Sequence, residues 1–93
     1  MSPRRFFYLS SDVLYDDRYA KLPDAVWRRA VELFARAAEY GDDQRRLPIS
    51  FVESKLLPGE FAALKNAGIL EVQPGNLVAF DQTYWCPGGD DGN

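Results

Sequence analysis

Ninety-three residues and 10.5 kDa allow one domain with a single small core. The chain has no histidine and one cysteine, Cys86. That excludes histidine-based triads, histidine metal sites, an internal disulfide and a multi-cysteine zinc site. Eleven basic against fourteen acidic residues leave a net charge of −3, not the basic excess that marks a nucleic-acid binder by charge alone.

Residues 6–9 are aromatic and apolar, as in an edge strand or a packed extended segment, and residues 1–5 before them read as frayed. Ser10 or Ser11 is a good N-cap for a short helix starting at Asp12, with Val13, Leu14 and Tyr19 as its buried contacts. Pro23 suits a helical first turn, and Asp24 the positive end of the dipole. Over 25–40, Val26, Trp27, Ala30, Val31, Phe34, Ala37 and Ala38 recur at the spacing of one helical face. On the other face Arg28–Glu32, Glu32–Arg36 and Arg36–Glu39 stand at pairing distance. Gly41 ends this helix as a C′ residue, and 42–46 is a charged loop.

Leu47-Pro48 opens a helix of about two turns over 49–56, although the Ile-Ser-Phe-Val alternation also permits a strand. Pro58-Gly59 breaks the chain, and Pro58 equally suits the first position of a third helix, which runs from Gly59 or Glu60 to Asn66 with Phe61, Leu64 and Ala67 inward and is terminated by Gly68. Residues 69–72 and 77–80 are two strands. Pro74-Gly75 between them predicts a type II turn inside a loop longer than two residues. Tyr84 and Trp85 fold back on the core. Residues 86–93, rich in Gly and Asp, read as a disordered tail behind a domain of 1–85. A helix pair followed by a β-hairpin is the arrangement of a winged helix. The expected fold class is therefore α+β, a small winged helix-turn-helix domain with a C-terminal hairpin wing.

The run Asp16-Asp17-Arg18-Tyr19-Ala20-Lys21-Leu22-Pro23-Asp24, then Trp27-Arg28-Arg29 and Glu32-Leu33, resembles the N-terminal winged-helix domain of phage replisome organisers. Ala37-Ala38-Glu39-Tyr40-Gly41-Asp42-Asp43 with Leu47-Pro48, and the Ala67-to-Val72 segment ahead of a hairpin, are similar to it too. The likeness covers roughly residues 6–85. In that family this module binds origin DNA, and a separate C-terminal part recruits helicase machinery. The resemblance implies a DNA-binding, replication-linked module.

On that reading Lys65 and Asn66 touch bases or phosphates from the third helix. Arg45, Arg46 and Lys55 flank the second helix where phosphates pass, and Asn76 stands at the wing tip. Each has a plainer alternative. Lys65 suits any helix C-terminus, Asp42 and Asp43 offset the two arginines, and Asn76 suits a turn. Arg4 and Arg5 are either a short arm on DNA or a flexible terminus. Tyr84 and Trp85 either cover the hairpin or offer a protein partner an aromatic anchor.

Asp16-Asp17 and Asp42-Asp43 are the carboxylate clusters, and adjacent acids of this kind are commonest at helix ends and turns. With no glycine-rich phosphate loop, no enzyme, cofactor, metal or small-molecule substrate is expected. No apolar run nears the roughly 20 residues of a membrane span, and the lack of disulfides suits a reducing cytoplasm. The leading expectation is a non-catalytic module on duplex DNA, aided by homodimerisation because its basic groups are few. The alternative is a winged helix that contacts a protein instead, as an adaptor, an inhibitor or a small phage accessory protein.

Overall fold

The longest element, Asp24–Tyr40, organises the rest of the chain. In the computed structural model, which describes residues 5–90, its buried face is Val26, Ala30, Leu33, Phe34 and Ala37. These steps of three and four are the helical period. Leu33, which the sequence face omitted, is wholly buried, and Trp27 lies only half-buried at its margin. Four helices occur among the described residues: α1 Asp17–Ala20, α2 Asp24–Tyr40, α3 Ile49–Lys55 and α4 Pro58–Asn66. The strands are β1 Arg5–Leu9, β2 Leu47–Pro48, β3 Leu70–Gln73, β4 Leu77–Phe80 and β5 Trp85–Asp90. They form two antiparallel sheets, a three-stranded one ordered β2-β4-β3 and a ribbon of β1 with β5. The architecture is α+β, and no described helix is long and apolar enough to cross a membrane.

The segment after β1 departs from the expected helix. Ser10 does cap it, accepting from the Asp12 N–H at 3.2 Å, but it forms a 3-10 turn over Ser11–Tyr15. Asp16 then interrupts the backbone and caps α1, its side chain accepting from the Arg18 N–H at 2.8 Å. Asp in this position draws the chain out of helix and restarts it. Val13 and Tyr19 are buried as expected, whereas Leu14 stands 60% exposed.

Pro23 takes the N-cap position, just before the first helical residue of α2. At the other end Gly41 has φ −66°, so no left-handed cap is made. Its glycine is needed for a close approach. A Cβ there would strike the Ala37 carbonyl oxygen and lie 2.7 Å from the Arg45 Cα. Gly41→Ala is therefore expected to cost about 1–3 kcal/mol of stability, because neighbouring backbone must move. A urea midpoint equal to that of the wild type would show that the returning loop yields freely.

Gly68 has the left-handed φ of +76° that the α4 stop requires. The Ile69 N–H reaches the Leu64 carbonyl and the Gly68 N–H the Lys65 carbonyl, both at 3.0 Å. This pair of hydrogen bonds closes the last turn as a Schellman motif, and Ile69 and Leu64 are both in the core. Gln73 pairs with Leu77, leaving Pro74-Gly75-Asn76 as a three-residue connection. Gly75 at φ +85° is what the third position of a type II turn needs.

The tail reading is corrected for residues 86–90. β5 runs to Asp90 and pairs with β1 through Tyr8–Cys86 and Phe7–Pro87. Composition suggested disorder because the segment is Cys-Pro-Gly-Gly-Asp. The ladder to β1 and the anchor at Trp85 supply what those side chains lack. Trp85 stacks on Phe34 at 5.3 Å between ring centroids and meets Phe7 edge-on at 6.4 Å. Residues 1–4, with the frayed start and the Arg4 arm, and residues 91–93 lie outside the described residues.

Candidate interaction surface

α4 is held by a buried acid. Glu60, 8% exposed, accepts from the Leu57 N–H at 2.8 Å and so closes the first turn of its own helix. Its other oxygen meets the Arg29 Nη1 of α2, also at 2.8 Å. The acid satisfies an orphan N–H, favours the helix dipole and pins α4 to α2 in one contact. Arg29 thus ties α4 to α2, while the same Nη1 reaches the Ala25 carbonyl of its own helix at 3.5 Å. Among the described residues no ion pair joins Arg28 to Glu32, Glu32 to Arg36 or Arg36 to Glu39, contrary to their spacing.

With Glu60, Leu64 and half-buried Phe61 turned inward, α4 leaves Gly59, Ala62, Lys65 and Asn66 to solvent. Leu57 just before it is 58% exposed. Lys55 ends α3 next to this turn, exposed, with its Nζ 5.6 Å from the Phe51 ring centroid. Lys55 and Lys65 therefore stand near opposite ends of α4. Asn76 is exposed at the hairpin tip with φ +59°, and its carbonyl accepts from the Ile49 N–H at 2.9 Å, tying the tip to the start of α3.

Arg45 and Arg46 are not free for phosphates in this structure. The Arg46 guanidinium contacts the Asp42 carboxylate at 2.8 Å and the Gln73 Oε1 at 3.1 Å. Arg46, through its backbone N–H and its side chain, holds the Asp42 carboxyl below the usual range. Arg45, half-buried at φ +61°, turns its guanidinium toward the Ala38 carbonyl at 3.4 Å. Both arginines knit the loop after α2 to its surroundings.

Tyr84 and Trp85 turn into the protein, Trp85 onto Phe34 of α2 and Phe7 of β1 and Tyr84 toward Asp16, instead of covering the β3–β4 hairpin. Trp85 is 3% exposed and its indole N–H donates to the Asp81 carbonyl. Tyr84 is half-buried and its hydroxyl donates to Asp16 at 2.7 Å. They belong to a polar cluster that sequence reasoning missed. The Arg18 Nη2 bridges Asp16 at 3.0 Å and Asp81 at 2.9 Å, and buried Tyr19 donates to Asp81 at 2.9 Å. The hydrogen bonds from Arg18 and Tyr84 hold the Asp16 carboxyl well below the usual carboxylate range. Burial pushes Asp81 up, but hydrogen bonds from Thr83 and Tyr19 outweigh it and keep that carboxyl low as well. Burial, reinforced by Asp81, raises the Tyr19 phenol, which stays protonated and donating. No buried side-chain polar atom is left without a partner among the described residues, and the cluster works as a clamp between the 16–19 segment and the chain after β4.

The Glu60 contact had a legible signal, an acid three residues after a helix N-cap. The Asp16–Asp81 clamp had none, since its halves lie 65 positions apart. Comparison with protein-family models, curated proteins and solved structures gives no match to this chain.

Proposed function

We propose that the chain is a non-catalytic winged-helix module that docks on duplex DNA with α4 and the β3–β4 hairpin. The observation that carries this reading is the order β2, α3, α4, hairpin with β4 central in the sheet, which leaves the outer side of α4 and the hairpin tip to solvent. A second helix of such a pair enters the major groove and the hairpin follows the backbone. The resemblance to replisome-organiser N-terminal domains points the same way. Lys65 and Asn66 are the groove residues, Lys55 a phosphate contact, and Asn76 the tip contact. Arg45 and Arg46 are withdrawn from the interface because their guanidinium groups are already engaged.

Two exposed lysines set the strength. With about two phosphates neutralised per monomer, log affinity should fall with log salt at a slope near −2, far shallower than for a basic repressor. Fluorescence anisotropy of a labelled duplex at low and moderate salt reads this directly. Lys55→Glu with Lys65→Glu should abolish binding. A protein silent even at about 50 mM salt, where phosphate contacts are strongest, refutes the reading.

A second reading rests on a different observation. Leu57, Pro58, Gly59 and Ala62 form an exposed, uncharged surface at the α3–α4 turn, with Leu57 58% exposed. That surface suits a protein partner better than a phosphate backbone. Leu57→Asp separates the two, since it should impair protein capture far more than the double lysine change does.

A further inference from the structure

The ribbon of β1 and β5 has two edges, and they differ. The Ser10 N–H donates to the Tyr84 carbonyl, which sets the alternation of the ladder. Tyr8 and Cys86 then exchange hydrogen bonds, while Phe7–Pro87 and Leu9–Trp85 are the pairs whose peptide groups face away from each other. The outer edge of β5 thus carries Pro87, which has no N–H to offer. The outer edge of β1 carries the peptide groups of Phe7 and Leu9, and no backbone partner occupies it among the described residues. The ladder shifts register between Arg5 and Phe7, but beyond that point the edge over Phe7-Tyr8-Leu9 is regular and carries no proline and no charge, and Tyr8 is 64% exposed. An edge of this composition is a template for another strand.

The geometry points to a second copy of this chain as that strand. Two β1 strands placed antiparallel about a twofold axis at Tyr8 match donor to acceptor at every position. Phe7 exchanges hydrogen bonds with Leu9 of the partner subunit, and Leu9 with Phe7 of the partner subunit. Tyr8 faces the partner subunit's Tyr8 in the non-hydrogen-bonded pair, where side chains approach closest and aromatic pairs are favourable. The stretch 7–9 is uncharged, so the strand meets itself without repulsion. Pro87 at both outer edges stops the four-stranded sheet from growing, and the contact closes as a twofold dimer rather than an open fibre. Pairing through β1 involves no residue of α4 and does not depend on what α4 binds.

Sedimentation equilibrium of the whole chain from about 1 to 500 µM tests it. The wild type should dimerise. Tyr8→Lys puts like charges face to face and should raise the dimer dissociation constant about tenfold or more. An equimolar mixture with Tyr8→Glu should restore association, which only a Tyr8-centred twofold explains. Leu9→Pro removes an outward donor and no bond to β5, so it should give a monomer with unchanged far-ultraviolet circular dichroism. A wild type monomeric throughout the range overturns the proposal, as does a Tyr8→Lys protein that dimerises as tightly as wild type.

Discussion

Trp85→Ala is expected to remove about 3–5 kcal/mol, the usual cost of truncating a buried aromatic. A 93-residue domain has only about 5–14 kcal/mol in total, so the variant should lose a large fraction of its stability. The size follows from position. Trp85 opens β5, lies flat on Phe34 of α2 and meets Phe7 of β1, so three elements lose their common contact at once. Trp85→Phe keeps a ring on Phe34 and loses the indole hydrogen bond to Asp81, which should cost about 1–2 kcal/mol. Urea unfolding followed by circular dichroism measures both. An alanine variant within 1 kcal/mol of wild type would mean that the ribbon does not rest on this residue.

Asp81→Ala should cost about 2–3 kcal/mol, since it leaves the Tyr19 hydroxyl buried without an acceptor and removes one of the two carboxylates on Arg18. It should also change the response to acid. Asp16 and Asp81 are both depressed in the folded state, so their stabilisation is present above the unfolded carboxyl value near 3.9 and is lost as pH falls through the folded values. Wild-type stability should be level from neutral pH to about 5 and drop below about 4. The Asp81→Ala protein should fall less steeply over that range. Equal slopes for the two proteins would place the acid sensitivity elsewhere.

How much of this was legible in the sequence depends on distance along the chain. The α4 stop at Gly68, the Pro58 start and the Pro74-Gly75 turn were readable, because each is dictated by one or two neighbouring residues. The face of α2 was readable too, with Leu33 missed where an apolar residue broke the assumed phase. β5 was not, since a Cys-Pro-Gly-Gly-Asp strand owes its order to β1, about eighty residues earlier. The same holds for the candidate surface. Lys55, Lys65, Asn66 and Asn76 stand exposed, as their local setting suggested. The Arg46–Asp42 pair was legible within its own loop, whereas Gln73 and the carbonyl of Ala38 meet the two arginines only in the fold. Tyr84 is held by Asp16, which is far away in the chain, and Trp85 is buried on Phe34 of α2.

The proposed docking of duplex DNA on α4 and the hairpin is tested most directly by amide chemical shifts. A uniformly labelled sample would be titrated with a duplex of about 20 base pairs at low salt. The account predicts progressive shifts at Lys55, Lys65, Asn66 and Asn76, with the Asp16–Tyr84 clamp unmoved. Spectra that do not change, or shifts confined to residues outside α4, the α3–α4 turn and the hairpin, would contradict it.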